Sequence, residues 1–268
     1  MNLFITWNVS PEIINIFGLS IRWYSLLFAS AFIAGYYILK IYLKNIDNST
    51  KMADSALIYT IIGTIVGARL GHCFFYEPEY YLANPLEVFK TWNGGLASHG
   101  AAIGILLSIW IFARKNKVGY IWSLDRIAPV IALSGLFIRL GNLMNSEIYG
   151  KPTNLPWAFK FVRDETSAIP RHPTQIYEAL IYLASFLILH KIFRKYEKNL
   201  PNGVLISVFL ILIFGTRFFV EFLKERQVEF ENAMALDMGQ WLSIPFTLIG
   251  IVSLIYIYKK NKGFKKTI

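Results

Sequence analysis

The chain has 268 residues, of which 55% are hydrophobic and 16% charged, against about 25% charged in ordinary soluble domains. So much apolar surface excludes a disordered chain and leaves too little charge to solvate a soluble enzyme of this size. The single cysteine, Cys73, excludes an internal disulfide and a cysteine-based zinc site, and the formal charge of +10 takes its meaning from where the basic residues fall.

A transmembrane helix needs roughly 20 mostly apolar residues. Seven stretches meet that demand, at about 19–40, 55–76, 95–113, 121–144, 174–193, 203–223 and 239–258. They leave six connections and two tails, with no clear repeat or low-complexity tract. The expectation is an all-α integral membrane protein with seven transmembrane helices, residues 1–268 forming a single polytopic membrane domain. No Lys or Arg precedes Arg22, so the basic start of a cleavable signal peptide is missing. The 145–173 connection carries Pro152, Pro156, Trp157, Arg163, Asp164, Glu165 and Pro170. Long connections in compact proteins are uncommon and often functional, so this one reads as an external loop or small cap.

Basic residues set the orientation. Fifteen fall in the connections after spans 1, 3 and 5 and in the C-terminal tail: Lys40, Lys44, Lys51, Arg114, Lys115, Lys117, Lys191, Arg194, Lys195, Lys198, Lys259, Lys260, Lys262, Lys265 and Lys266. Eight fall on the opposite side: Arg22, Lys90, Lys151, Lys160, Arg163, Arg171, Lys224 and Arg226. The positive-inside rule then places the N-terminus outside and the C-terminus in the cytoplasm. The charge of +10 is a topology signal and an attraction to anionic lipid, not a nucleic-acid surface.

Polar residues follow the chain with a bias. Trp23, Tyr24 and Trp92 fall where an interfacial aromatic belt belongs. Gly63, Gly67 and Gly71 line span 2, and Gly94, Gly95, Gly100 and Gly104 crowd span 3. Close helix packing explains both stripes, and room for a lipid head group is the alternative. Arg69 and His72 close span 2, His99 opens span 3, and Arg139, Asn142 and Asn145 close span 4. His172, Gln175 and Glu178 open span 5, Arg217 and Glu221 close span 6, and Gln240 opens span 7. All fall in the outer half of the expected bilayer. Ionisable groups there usually line a cavity or pair with each other, which predicts a polar chamber at the outer leaflet.

Within it, Arg139, Asn142 and Asn145 share one helix face. Either they form an interhelical hydrogen-bond cluster, or the guanidinium's planar fork holds a phosphate while the amides fix neighbouring oxygens. Arg217 and Glu221, at i and i+4, either neutralise each other or leave Glu221 shared with another cation, because Arg before Glu is the less favourable order. His99 is a structural hydrogen-bonding residue or the chamber's best general base. Adjacent helix residues do not face each other, so His72-Cys73 reads as no catalytic pair.

Several segments then resemble, in the family's own order, the bacterial prolipoprotein diacylglyceryl transferases. They are Arg22-Trp-Tyr24, Trp92-Asn-Gly-Gly-Leu-Ala-Ser-His-Gly100, Arg139-Leu-Gly-Asn-Leu-Met-Asn-Ser-Glu-Ile-Tyr-Gly150, Arg171-His-Pro-Thr-Gln-Ile-Tyr-Glu178, Arg217-Phe-Phe-Val-Glu221 and Met238-Gly-Gln-Trp-Leu-Ser243. The resemblance runs from about residue 15 to 258. It implies transfer of a diacylglyceryl group from phosphatidylglycerol to the lipobox cysteine of a preprolipoprotein in the bacterial cytoplasmic membrane. A thioether forms, glycerol 1-phosphate leaves, and no cofactor or metal is implied. Carried over by position, the resemblance makes His99, Arg139, Arg217, Tyr24 and Glu221 catalytic, and Arg139, Asn142, Asn145, Glu147 and Gly150 substrate-binding. Two departures stand out: Ile138 precedes Arg139, and Ala101 follows Gly100, where the family commonly has glycine. A small lipid or solute transporter using the same chamber is the competing reading.

Overall fold

The computed structural model describes residues 4–16, 18–44, 49–91, 94–164, 169–197, 199–226 and 234–261. Trp92, Glu165, Lys198, Lys262, Lys265 and Lys266, used above, lie outside them. Among the described residues the order is β1 (Ile5–Trp7), β2 (Glu12–Ile16), β3 (Leu19–Arg22), α1 (Trp23–Leu43), α2 (Ser49–Phe75), α3 (Pro78–Ala83) and a 3-10 turn (Pro85–Phe89). Then follow α4 (Ser98–Lys115), α5 (Tyr120–Met144), β4 (Phe159–Phe161), α6 (Thr174–Tyr196), α7 (Val204–Glu221) and α8 (Met238–Lys260).

The fold is mostly helical, and among the described residues six helices are long and apolar enough to cross a membrane: α1, α2, α5, α6, α7 and α8. Their outward faces are apolar, as on α8, where Ile249, Val252 and Tyr256 are all exposed. The seventh expected span, α4, is not among them. Its 18 residues include His99 near one end and Arg114-Lys115 at the other. The apolar run between them, from Ala101 to Ala113, is only roughly 20 Å long.

The expectation of an all-α chain is corrected by two small sheets. β1 pairs in parallel with β4, Ile5 opposite Phe159, and β2 pairs antiparallel with β3. These strands lie outside the long helices, β3 taking the first residues of the stretch expected as span 1; backbone groups there still need partners, and Ile5, Thr6, Ile13, Ile14 and Ile21 suit an extended chain.

By contacts the chain divides into two compact units, one of Tyr36–Leu124 and one of Met1–Gly35 with Asp125–Ile268. In the first, α2 packs on α4 through the glycine stripes. A methyl group at Gly67 would lie 2.4 Å from Gly100 O, and one at Gly104 would lie 2.1 Å from Gly63 O. Backbone meets backbone there, as small-residue spacing predicts, and the contact uses Gly100 and Gly104 rather than Ala101.

Arg69, 4% exposed, is a structural clamp in the same unit. It donates from Nε to Val88 O (2.9 Å), from Nη1 to Gly94 O (2.6 Å) and from Nη2 to Glu87 O (2.6 Å). Its guanidinium also lies over the Tyr81 ring. A buried cation here draws together backbone carbonyls of the segment that links α2 to α4.

In the other unit, buried Asp125 accepts hydrogen bonds from Gly203 N (2.6 Å) and Ile206 N (2.9 Å). A carboxylate at a helix start meets orphan N–H groups and the positive end of the dipole, so α5 anchors the beginning of α7. At α8, Gln240 Oε1 accepts from Asp237 N (3.0 Å), which gives that chamber residue a capping task. The segment between α5 and α6 is built together with the N-terminal strand. Leu143, Phe159 and Phe161 form a buried cluster against Trp7, Tyr149 and Ile176, and Trp7 Nε1 donates to Leu143 O at 3.0 Å.

Candidate active site

The site grows from the end of α5. Arg139 and Asn142 stand one turn apart, and Arg139 Nη1 donates to Asn142 Oδ1 at 3.2 Å. Beyond Met144 the chain turns sharply, with Ser146 and Ile148 both in the left-handed region at φ 57° and 58°. That region is costly for a β-branched residue and persists only where its surroundings hold it. Here α6 holds it: Gln175 Nε2 donates to Glu147 O (2.8 Å) and Thr174 Oγ1 to Ile148 O (3.0 Å). The strained pair flanks Glu147, whose Oε1 accepts from Asn142 Nδ2 (2.7 Å) and Asn145 Nδ2 (3.3 Å).

Gly150 ends this corner. Its N donates to His172 O (2.8 Å), and Lys151 N donates to Leu223 O (2.8 Å). A methyl group at Gly150 would lie 2.5 Å from Leu223 O and 2.7 Å from His172 Cβ, so only glycine permits the approach. The turn after α7 is thereby fixed beside the corner. Burial also lowers the pKa of His172 below its usual value, keeping a neutral imidazole beside the Tyr177 hydroxyl at 3.3 Å.

From Arg139 a line of alternating charge crosses to α7. Arg139 Nε lies 3.1 Å from Glu178 Oε2, close but not aligned as a hydrogen bond. Lys224 Nζ lies 3.1 Å from Glu178 Oε1 and 3.4 Å from Glu221 Oε2. Glu221 Oε2 is in turn 3.8 Å from Arg217 Nε. Three cations and two carboxylates make up the line, and Glu147, tied to Arg139 through Asn142, balances the third cation, in surroundings that screen charge far less than water does. Arg217 is the most open of the five, its side chain 34% exposed.

Beside it, Glu178, Thr216 and Arg217 line a small, half-open cleft with Ile181, Tyr182, Ile213 and Val220. One wall is charged and the other apolar, which suits an amphipathic molecule with an anionic group.

The family model for prolipoprotein diacylglyceryl transferase matches residues 11–256. This chain belongs to the prolipoprotein diacylglyceryl transferase family. Among similar curated proteins, one from Tolumonas auensis, named phosphatidylglycerol–prolipoprotein diacylglyceryl transferase, is 45% identical over 256 residues, covering 95% of this chain and 98% of its own. Proteins of the same name from Bacteroides fragilis and Chloroherpeton thalassium are 44% and 42% identical, each alignment covering 98% of both chains.

Of the positions this family resemblance singles out, Arg139, Asn142, Asn145 and Glu147 form one hydrogen-bonded group, and Gly150 closes the same corner. Arg217 and Glu221 join it through Glu178 and Lys224. Tyr24 is half-buried, its ring against α5 at Gly141, where a methyl group would lie 2.7 Å from Tyr24 Cδ2. His99 is the second residue of α4, exposed, in the Tyr36–Leu124 unit, and takes no part in these contacts. The reading of Glu221 as shared with another cation is met by Lys224. The sequence places Glu178 in the chamber without a role and counts Lys224 only as an outer-side charge, although Lys224 stands three residues after Glu221, the spacing of neighbours on a helical turn.

Proposed function

We propose that this protein transfers the diacylglyceryl group of phosphatidylglycerol to the lipobox cysteine thiol of preprolipoproteins, the first step of bacterial lipoprotein maturation. The observation that carries the reading is the charge line with an arginine at each end, in a chain of this family. The transporter alternative finds no support in that family.

In the proposed reaction the cysteine sulfur attacks the glyceryl carbon that bears the phosphate. An S–C bond forms, the C–O bond breaks with its electrons going to oxygen, and glycerol 1-phosphate departs. Arg139 would hold the phosphate, its fork matched to two oxygens, with Asn142 and Tyr24 positioning the head group. Asn145, Glu147 and Gly150 would shape that pocket. Arg217, assisted by Glu221, would stabilise charge growing on the leaving phosphate, where preorganised cations act most strongly. His99 would take the thiol proton, a role resting on the resemblance alone. A thiol of pKa about 8.5 needs such a base or a nearby cation to raise its thiolate fraction.

The same reading makes residues 1–268 one polytopic domain of the bacterial cytoplasmic membrane, with α4 as a seventh span. The tight backbone packing of α4 on α2, itself a candidate span, supports that placement. The excess of Lys and Arg after spans 1, 3 and 5 supports an external N-terminus and a cytoplasmic C-terminus. Residues 145–173 would then cap the site on the outer face, where an exported precursor presents its cysteine. Surrounding membrane lipids, not nucleic acid, are the remaining partners.

The test is purified protein in detergent with phosphatidylglycerol and a lipobox peptide. A peptide mass gain of one diacylglyceryl unit is expected. Lipid or solute movement without peptide modification would overturn the proposal.

A further inference from the structure

Lys224 is 4% exposed, yet it lies beyond the end of α7 and belongs to none of the helices. Its backbone pairs with Gly150 in an isolated antiparallel bridge, while Lys151 Nζ donates to Phe222 O at 2.9 Å. The chain thus turns back after Glu221 and delivers one ammonium group between two carboxylates from different helices, Glu178 of α6 and Glu221 of α7. Those carboxylates are the ones that also touch Arg139 and Arg217.

Charge balance gives the arrangement its consequence. A buried carboxylate must find a cation. Without Lys224, Glu178 and Glu221 would have only the two arginines in this line as cationic partners, and each would draw its arginine into a closer pair. A phosphate would then have to displace a carboxylate. With Lys224 present, Arg217 stays 3.8 Å from Glu221 and Arg139 meets Glu178 off-axis. An ammonium suits the task because it is a compact charge with three donors, able to serve two acceptors at once.

We propose that Lys224, acting with Glu178, is a positioning residue for diacylglyceryl transfer: it neutralises the two site carboxylates so that Arg139 and Arg217 remain open to the phosphate of the lipid. The inference rests on the proposed transferase activity, and it concerns binding of the lipid phosphate more than the bond-changing step.

The experiment uses full-length protein in detergent micelles of phosphatidylglycerol with a lipobox peptide. Wild-type protein runs first; absence of transfer there overturns the functional reading itself, before any variant is compared. Given wild-type transfer, Lys224→Met is expected to raise the apparent KM for phosphatidylglycerol at least about tenfold, with a smaller change in kcat. Lowering the pH from about 8 to about 6 should narrow the gap in KM to wild type measured at the same pH, as one unpaired carboxylate takes up a proton. The charged groups facing Lys224 or linked to it are Arg139 from α5, Glu147 from the corner, Glu178 from α6, and Arg217 and Glu221 from α7. From α8 Glu221 meets Gly239.

Lys224→Arg should keep KM within about threefold of wild type and keep its pH profile, since the charge is retained. The double variant Lys224→Met with Glu178→Gln should recover most of the lost affinity, and it carries the test with Lys224→Arg if the single variant does not fold. An unchanged KM and pH profile in Lys224→Met overturns the proposal. So does a loss that neither the double variant nor lower pH relieves, or a loss of about tenfold in a well-folded Lys224→Arg protein.

Discussion

Arg139 and Glu178 stand 39 positions apart on different helices, yet their side chains meet at 3.1 Å, 13% and 5% exposed. Neither is tied to the other alone, because Asn142 takes a second guanidinium nitrogen and Lys224 the second carboxylate oxygen. A cation held this way keeps its position when one partner is exchanged for a ligand. That property makes Arg139 the first residue to change.

Arg139→Ala is expected to lower transfer by about 10²–10³, and Arg139→Lys to lose nearly as much because an ammonium cannot replace a planar fork. Both should remain folded, since Glu178 keeps Lys224. Peptide mass gain per folded protein, with size-exclusion profiles as the folding check, measures this. Near-normal turnover of Arg139→Ala would remove the phosphate-holding role.

For His99, substitution by Gln should slow single-turnover transfer by about 10²–10⁴, the usual worth of a positioned general base. If His99→Gln retains wild-type rates at every pH, the cationic surroundings alone activate the thiol.

Gly150→Ala places a methyl group against backbone and short side chains that cannot swing away. Overpacking of this kind costs about 1–3 kcal/mol, so the thermal unfolding temperature in detergent should fall by several degrees. Moving Leu223 also moves Lys224, and lipid KM should rise with it. Gly215→Ala serves as the control, because its methyl group would meet only Thr247 Cγ2 at 3.8 Å.

Asp125→Ala strips the start of α7 of its carboxylate and leaves two N–H groups unmet. The expected loss is about 1–2 kcal/mol of stability, read as a lower unfolding midpoint. Transfer per folded molecule should hold near wild type at low temperature, since Asp125 touches none of the five charged groups. A drop in kcat/KM without loss of stability would contradict the capping role.

Much of this is legible in the sequence. Six of the seven expected spans are helices long and apolar enough to cross a membrane, because long apolar runs announce themselves in sequence. Arg139 and Asn142 were placed together by helical spacing alone, and the order of Arg217 and Glu221 already pointed to a second cation. What escaped depended on non-local chain paths. Lys224 reaches the site only because Leu223 and Lys151 bond across 72 positions of sequence. Ser146 and Ile148 take left-handed backbones without being glycine, so no residue type announced the turn that aims Glu147. By spacing Arg69 reads as a third chamber arginine; its bonds to the carbonyls of Glu87, Val88, Gly94 and Gly95 give it a different task. The strands went unseen because segments of three to five residues carry too little periodicity to register.

The pairing of β1 with β4 has a consequence for how the molecule is made. Trp7 bonds to Leu143, 136 positions later, and Ile5 aligns beside Phe159. At about 5–20 residues per second of synthesis, the first strand waits roughly ten to thirty seconds for its partner to leave the ribosome. During that time α1 to α5 must already be inserting. The corner that carries Glu147 and Gly150 is therefore a late assembly, closed by the oldest part of the chain, and a bulky fusion ahead of Phe4 would burden its maturation before it touched its chemistry.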